Sequence, residues 1–206
     1  MARRHVPALL TVAGTSAAGF ALAAAASATR ASAHVDRKLE PRVAFRSRSR
    51  LRKLADAASP LGKWYTLGSA SVALGASLAR NRKHRAGGIA IAGCGIAAAL
   101  LSLAFDELLP QPPVPTGHRD EPNKAVFPSG HAFVSTAIAL TTAYVLTEER
   151  ITPARLSAPL AGVLPLANTA LKLGARKHWV SDAAGGVAAG VALAALCCAA
   201  YEAMRA

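Results

Sequence analysis

Six long apolar runs constrain this chain more than any other feature of its sequence. The runs are almost free of charged residues, and basic or proline-rich segments separate them. Inside a bilayer every backbone polar group must be bonded within its own segment, so runs of this kind are expected to be membrane helices. The sequence therefore predicts an all-α integral-membrane bundle of about six transmembrane helices. The predicted spans are Val6–Thr29, Trp64–Ala79, Gly87–Phe105, His131–Leu146, Leu156–Gly174 and Ala183–Tyr201.

The composition agrees with a membrane protein and argues against an ordinary soluble domain. Of the 206 residues 52% are hydrophobic, and the mean hydropathy is +0.30. Small apolar residues suit close helix packing in a bilayer, and Gly186 and Gly190 form a GxxxG pair that predicts one such contact. The net charge is +13, but the basic residues lie between the apolar runs. This distribution favours contact with anionic lipid head groups over binding to nucleic acid, and no nucleic-acid partner is expected.

The three cysteines are expected to be buried thiols, because Cys94, Cys197 and Cys198 all lie inside apolar runs. No CxxC or Cys/His ligand spacing occurs in the chain, so neither a zinc site nor a disulfide is predicted.

Two stretches have the residues of an anion site at the start of a helix. Pro128, Ser129 and Gly130 form a helix entry before His131 and the fourth apolar run, and helix N-termini with free N–H groups attract anions. The second stretch runs from Lys172 through His178 to Asp182 and leads into the sixth run. With six spans, the loops after the third and fifth spans lie on the same side of the membrane. The two stretches are therefore predicted to meet at one face.

Together these stretches resemble the signature of the type 2 phosphatidic acid phosphatase family, which is related to the vanadium haloperoxidases. The family carries three motifs: Lys-x6-Arg-Pro, Pro-Ser-Gly-His and Ser-Arg-x5-His-x3-Asp. The second motif is present literally at Pro128 to His131. The third is present in its catalytic half at His178 and Asp182, while its arginine slot falls on Lys172 and its serine slot on Leu171.

The resemblance implies a role for each matching residue. His178 matches the nucleophile that forms a phosphohistidine, and Asp182 is expected to hydrogen-bond its imidazole from one helical turn away. His131 matches the general acid that protonates the departing alcohol. The remaining matches would hold phosphate oxygens. These are Ser129, the Gly130 N–H and Lys172. The scheme requires no metal and no cofactor.

The first family motif is missing. Aligning its Arg-Pro to Gln111-Pro112 puts Ala104 at the lysine position, and aligning it to Leu109-Pro110 puts Ser102 there. The phosphate site therefore lacks two cations that the family has. Three residues are predicted to compensate. These are Lys124, Arg119 and Arg176, and at least one is expected to point into the pocket between His131 and His178.

Two functions stay open. The first is an integral-membrane lipid phosphatase, a phosphoric monoester hydrolase acting on a phosphatidate or polyprenyl-phosphate type of substrate in the cell membrane. The second is a weak or inactive relative that binds anionic lipid head groups. The missing motif favours the second, and the presence of the second motif and of the catalytic half of the third favours the first.

The N-terminal part of the chain is predicted to be distinct from the core. Residues 1–63 would form a first helix and a basic interfacial segment, and residues 64–206 a membrane phosphatase-like core. The first run is interpreted as an uncleaved helix, with a cleaved signal peptide as the alternative, because the family fold usually has six spans. Residues 30–63 are interpreted either as a solvated loop or as an interfacial segment on anionic lipid, helical from Leu51 to Ala58.

Overall fold

The computed structural model of the chain describes residues 5–46, 49–109 and 127–205. These residues form eight α-helices, and no strand occurs among them. The helices are α1 (Val6–Ala28), α2 (Ala33–Val43), α3 (Arg50–Ala58), α4 (Trp64–Ala79), α5 (Arg85–Leu108), α6 (Gly130–Glu148), α7 (Ala154–Gly174) and α8 (Val180–Met204). Two 3₁₀ turns, Ser59–Gly62 and Arg82–His84, precede α4 and α5.

All six predicted apolar runs are helical, and the all-α membrane bundle is confirmed. In the described part of the chain, five helices are long and apolar enough to cross a membrane, namely α1, α5 with its preceding turn, α6, α7 and α8. The sixth, α4, has 16 residues, which gives a length of about 24 Å. That is shorter than the hydrocarbon core of about 30 Å. The chain is therefore a multi-pass bundle of five span-length helices and one shorter helix.

Helix α6 lies at the centre of the bundle. It packs against α4, α5, α7 and α8, while α1 lies along α8. Phe133, Val134 and Ala137 of α6 are at most 1% exposed and form the core with Cys94 of α5. The start of α6, which carries the Pro-Ser-Gly-His motif, is thereby held on several sides.

The predicted GxxxG contact occurs between α8 and α6. A Cβ atom added at Gly186 would lie 2.6 Å from the carbonyl oxygen of Ser129, and one added at Gly190 would lie 2.7 Å from that of Phe133. Neither position has room for a methyl group, because the obstructing atoms belong to the backbone of α6. These glycines therefore set the distance between the two helices that carry the motifs.

The substitution Gly186→Ala is expected to destabilise the protein by about 1–3 kcal/mol, because the added methyl group forces α8 away from α6. Thermal unfolding in detergent measures the effect. The matched control is Gly93→Ala in α5, where a Cβ atom would meet no other atom within 4 Å. The control is expected to be neutral or stabilising, since alanine favours a helix more than glycine does. Equal stability of the two variants would contradict this account.

Residues 30–63 contain two helices on the same side of the bundle as the motifs. The predicted helix from Leu51 to Ala58 is confirmed, with one more residue at its start, as α3. Leu51 and Leu54 are 53% and 56% exposed, and they alternate with basic residues. Exposed leucines among cations are typical of a helix at a membrane surface. The contact of this segment with anionic lipid stays a prediction.

Candidate active site

The Pro-Ser-Gly-His stretch forms the predicted helix entry. Ser129 is the N-cap of α6, and its hydroxyl accepts a hydrogen bond of 3.5 Å from the N–H of Ala132. The Ser129 side chain is 1% exposed. Helix α6 begins at Gly130, so its first N–H groups have no partner within the helix and are oriented toward this end of the bundle.

The His-x3-Asp stretch differs from the prediction in one respect. His178 was expected to lie one helical turn before Asp182, but α8 begins only at Val180. The Nδ1 atom of His178 is 3.9 Å from Oδ2 of Asp182, which is an ion-pair distance and too long for a hydrogen bond. The predicted hydrogen bond is therefore wrong in this structure. Instead, Oδ2 accepts a hydrogen bond of 2.8 Å from the N–H of Trp179.

Asp182 nevertheless has an oxygen atom that could accept a hydrogen bond from His178. Its side chain has no exposed surface, and its Oδ1 atom accepts no hydrogen bond from any residue in the described parts of the chain. A buried carboxylate oxygen without a partner costs free energy. A short movement of the His178 ring would thus give this carboxylate a hydrogen bond and orient the imidazole.

The two motifs meet at one end of the bundle, as the order of the spans predicts. The N–H of Ser129 donates a hydrogen bond of 3.0 Å to the backbone carbonyl of Asp182. This bond joins the N-terminal ends of α6 and α8 directly. The helix starts that carry His131 and Asp182 are therefore neighbours in space, although 51 residues separate them in the sequence.

His131 is held by a turn that sequence reasoning did not identify. Its Nε2 atom lies 2.9 Å from the carbonyl oxygen of Ser59. A carbonyl can only accept, so Nε2 carries a proton and donates it. The ring packs against Gly62, where a Cβ atom would lie 2.6 Å from Cδ2 of His131 and 3.0 Å from the amide oxygen of Asn168. Gly62 thus leaves the space that the imidazole occupies.

Ser59 also binds the lysine of the third motif. Lys172 lies in the last turn of α7 and is 5% exposed. Its Nζ donates a hydrogen bond to the hydroxyl of Ser59. One residue of the 3₁₀ turn therefore contacts both His131 and Lys172. No sequence signal marks this serine, because its partners lie 72 and 113 residues away.

The cations beside His178 are paired with carboxylates of the basic segment. Nε of Arg176 lies 3.3 Å from Oε1 of Glu40, and Nζ of Lys177 lies 2.9 Å from Oδ1 of Asp56. The Glu40 pair involves Nε of Arg176 and does not test the other guanidinium nitrogens. The predicted contact of the Arg176 guanidinium with phosphate therefore stays a prediction. Arg119 and Lys124 lie outside the described residues.

The remaining potential ligands form no metal centre in the described residues, where no group of three His, Cys, Asp or Glu side chains lies close enough to hold an ion. The three cysteines are free thiols, two buried and one half-buried, as their positions in apolar runs predict.

A match to a family model identifies the class of this protein. The model of the PAP2 superfamily matches residues 88–205, which include both helix starts of the site, and the chain belongs to this superfamily. Membership supports phosphatase activity in general.

The fold also matches that of a solved relative. It is similar to the crystal structure of a transmembrane PAP2-type phosphatidylglycerolphosphate phosphatase from Bacillus subtilis, with a TM-score of 0.73 and 22% sequence identity. The match covers 90% of this chain and 93% of the other. At this identity the likeness shows the fold. No curated protein gives a significant match.

Proposed function

We propose that this chain is a cell-membrane phosphatase that hydrolyses a lipid phosphate or diphosphate through a phosphohistidine intermediate. The observation that carries the proposal is the hydrogen bond between Ser129 and Asp182. This bond joins the starts of α6 and α8 at one end of the bundle. It supports a site that combines His131 as the acid, His178 beside a buried carboxylate, and the N–H groups at the start of α6.

In the first step, Nε2 of His178 attacks the phosphorus atom, and the bond to the lipid oxygen breaks. A histidine is a competent nucleophile when a carboxylate orients its ring and supports the positive charge that develops. This role for Asp182 is supported by its Oδ1 atom, which accepts no hydrogen bond from the described residues and lies in the carboxylate group next to His178. His131 in its doubly protonated form donates the Nδ1 proton to the departing oxygen, because its Nε2 proton is bound to the Ser59 carbonyl. In the second step, water attacks the phosphorus atom, the bond from phosphorus to Nε2 of His178 breaks, and inorganic phosphate leaves. One proton of the water returns to His131, which restores the acid.

The phosphoryl oxygens would be bound by the hydroxyl of Ser129, the N–H of Gly130 and the ammonium group of Lys172. Donors that are fixed before the reaction stabilise developing charge without reorganisation. The bond to Ser59 fixes Lys172, and burial strengthens its field. A lysine provides a single point charge, whereas an arginine would bind phosphate through two N–H groups at once. Arg119, Lys124 and Arg176 are the proposed sources of further positive charge.

The lipid nature of the substrate is supported by a groove between α4, α6 and α7. The groove has a volume of about 360 Å³, and Leu, Ile and Ala side chains make up much of its lining. On α6 its first lining residue is Ile138, seven positions after His131, and residues seven apart share one face of a helix. On α7, Leu164 lies four positions before Asn168, which lies close to the space beside the His131 ring. The groove thus begins about 10 Å from His131 along α6, lies in the membrane region and suits a hydrocarbon chain.

The groove predicts a change in substrate preference. The substitution Ala70→Phe fills the groove on α4 and is expected to raise KM for a long-chain lipid phosphate about tenfold, equivalent to about 1.4 kcal/mol. Activity on a short-chain, water-soluble phosphate should not change, because that substrate does not need the groove. The matched control is Ala73→Phe, three residues further on, which fills a different groove between α4 and α5. Equal effects of the two variants on both substrates would contradict this assignment.

The function itself is tested by phosphate release from a panel of phosphatidate, phosphatidylglycerophosphate and polyprenyl phosphate and diphosphate. The expected result is turnover of at least one of these substrates. If the purified protein binds such lipids but releases phosphate from none, it is a binding relative. The carboxylate partners of Arg176 and Lys177 favour that second function, because they reduce the positive charge available to phosphate.

A further inference from the structure

Helix α2 carries two carboxylates that contact the chain around His178, one at the first turn of α8 and the other in the loop between α7 and α8. Asp36 accepts hydrogen bonds of 2.9 Å from the N–H of Ser181 and 2.6 Å from its hydroxyl. Glu40, one helical turn further on, pairs with Arg176. The two carboxylates therefore reach the chain on either side of His178.

The contact with Ser181 is a buried one. The side chain of Asp36 is only 4% exposed, and a buried carboxylate is costly unless hydrogen bonds satisfy it. Ser181 lies in the first turn of α8, where N–H groups have no partner within the helix and the helix dipole favours a negative charge. Hydrogen bonds to a charged acceptor are stronger than those between neutral groups. Asp36 therefore fixes the first turn of α8 firmly.

The other end of the loop is held by the chain just after α2. The N–H of Phe45 donates a hydrogen bond of 2.7 Å to the carbonyl of Gly174, and the Phe45 ring occupies the space above that glycine. Arg176 has a φ of 58°, and the N–H of Lys177 bonds back to the carbonyl of Lys172 at 3.0 Å. Helix α7 thus ends with Arg176 in the left-handed conformation, and the Lys172 carbonyl in its last turn accepts a hydrogen bond. We refer to Asp36, Glu40 and Phe45 together as the clasp.

His178 lies between the two clasped ends and outside both helices. Its position is thus set by the residues that flank it, and a nucleophile loses rate steeply when it is misplaced by about 1 Å. We propose that Asp36 is a positioning residue for His178. Through Ser181 it fixes the start of α8 and so the place of the imidazole relative to Asp182 and Ser129. The proposal rests on the proposed function, and the clasp lies before residues 88–205, which match the superfamily.

Kinetics of three variants test the proposal. Asp36→Ala and Ser181→Ala are each expected to lower kcat on a lipid phosphate by between about 10- and 100-fold, with little change in KM. The double variant should be no worse than Asp36→Ala alone, because Ser181→Ala removes the hydroxyl bond and Asp36→Ala removes both that bond and the bond from the N–H of residue 181. A double variant whose loss is the product of the single losses would overturn the proposal. So would two single variants with the kcat of the unsubstituted protein.

The matched control is Asp56→Ala. It also removes a carboxylate that contacts the loop, but this side chain is 48% exposed and pairs with Lys177 at the surface, where ion pairs contribute little. Its kcat is expected to stay within about twofold of the unsubstituted value. If Asp56→Ala lowers kcat as much as Asp36→Ala does, any loss of carboxylate from this segment has the same effect, and Asp36 has no special role.

Amide hydrogen exchange tests the clasp without reference to catalysis. In Asp36→Ala the amides of residues 175–183 are expected to exchange faster, while those in the middle of α6 should not change. Ser181→Ala keeps this test valid if Asp36→Ala does not fold. If the unsubstituted protein hydrolyses no lipid phosphate, the proposed function fails, and the exchange data still decide whether the clasp holds the loop. If amide exchange of these residues is unchanged in both variants, the clasp does not hold the loop.

Discussion

The variant His178→Ala is expected to release no phosphate above background from any lipid that the unsubstituted protein hydrolyses. The substitution removes the atom that attacks phosphorus, and losses from removing a nucleophile are on the order of 10³-fold or more. The bundle should be intact, because His178 lies outside the helices and is not part of the core. Phosphate release and membrane fractionation are measured together. Acid-quenched labelling should detect phosphoenzyme in the unsubstituted protein and none in the variant.

Two further variants sharpen this test. Asp182→Asn is expected to lower the rate less completely, because it removes charge support and keeps the attacking atom. His34→Ala is the control, since this histidine lies exposed on α2. It should hydrolyse lipid phosphate at the unsubstituted rate. Turnover of His178→Ala near that of His34→Ala would show that His178 is not the nucleophile.

The variant His131→Gln is expected to lower the rate on lipid phosphates by about 10²–10⁴-fold, the usual contribution of a general acid. A lipid alcohol is a poor leaving group, so its oxygen needs a proton as the bond to phosphorus breaks. Glutamine retains a polar side chain that can still donate to the Ser59 carbonyl, which His131 contacts at 2.9 Å. The loss would therefore report the missing acid and not a collapsed site.

Substrates with different leaving groups distinguish the loss of a general acid from a loss of substrate positioning. An aryl phosphate with an acidic phenol needs little protonation, so His131→Gln should form the phosphohistidine from it at close to the unsubstituted rate. His178→Ala should form none from the same compound, because the nucleophile is required for every leaving group. If His131→Gln forms the phosphohistidine equally slowly from lipid and aryl phosphates, His131 positions the substrate and does not act as the acid.

Much of the fold follows from the sequence, because its determinants are local. Long apolar runs require helices in a bilayer, and Pro128, Ser129 and Gly130 mark the start of α6 within one residue. The order of the spans also predicts that His131 and Asp182 lie near the same face, and the bond from Ser129 to the Asp182 carbonyl agrees with this prediction. In these cases a short stretch of sequence is enough to explain why the helix forms and where it begins.

The contacts that hold the site are not predictable in this way. Ser59 and Asp36 act on partners that are 72 to 145 residues away, and both lie in or next to a basic segment without apolar periodicity. The His178–Asp182 geometry was predicted from helical spacing, but the helix begins two residues after His178. That boundary is set by the capping interaction of Asp182 with Trp179. Whether His178 lies inside the first turn of α8 or before it decides whether it can bond to Asp182.

The site is assembled from two stretches of chain, and the superfamily match spans the second of them. Residues 88–205 match the superfamily and contain the two motif histidines. Ser59, Gly62 and Asp36 precede that region, as does Ala70 on one wall of the groove. Substitutions in the earlier stretch can therefore accumulate without erasing the family signature. Among proteins built this way, turnover rate and lipid preference are expected to diverge faster in evolution than the bond that is broken.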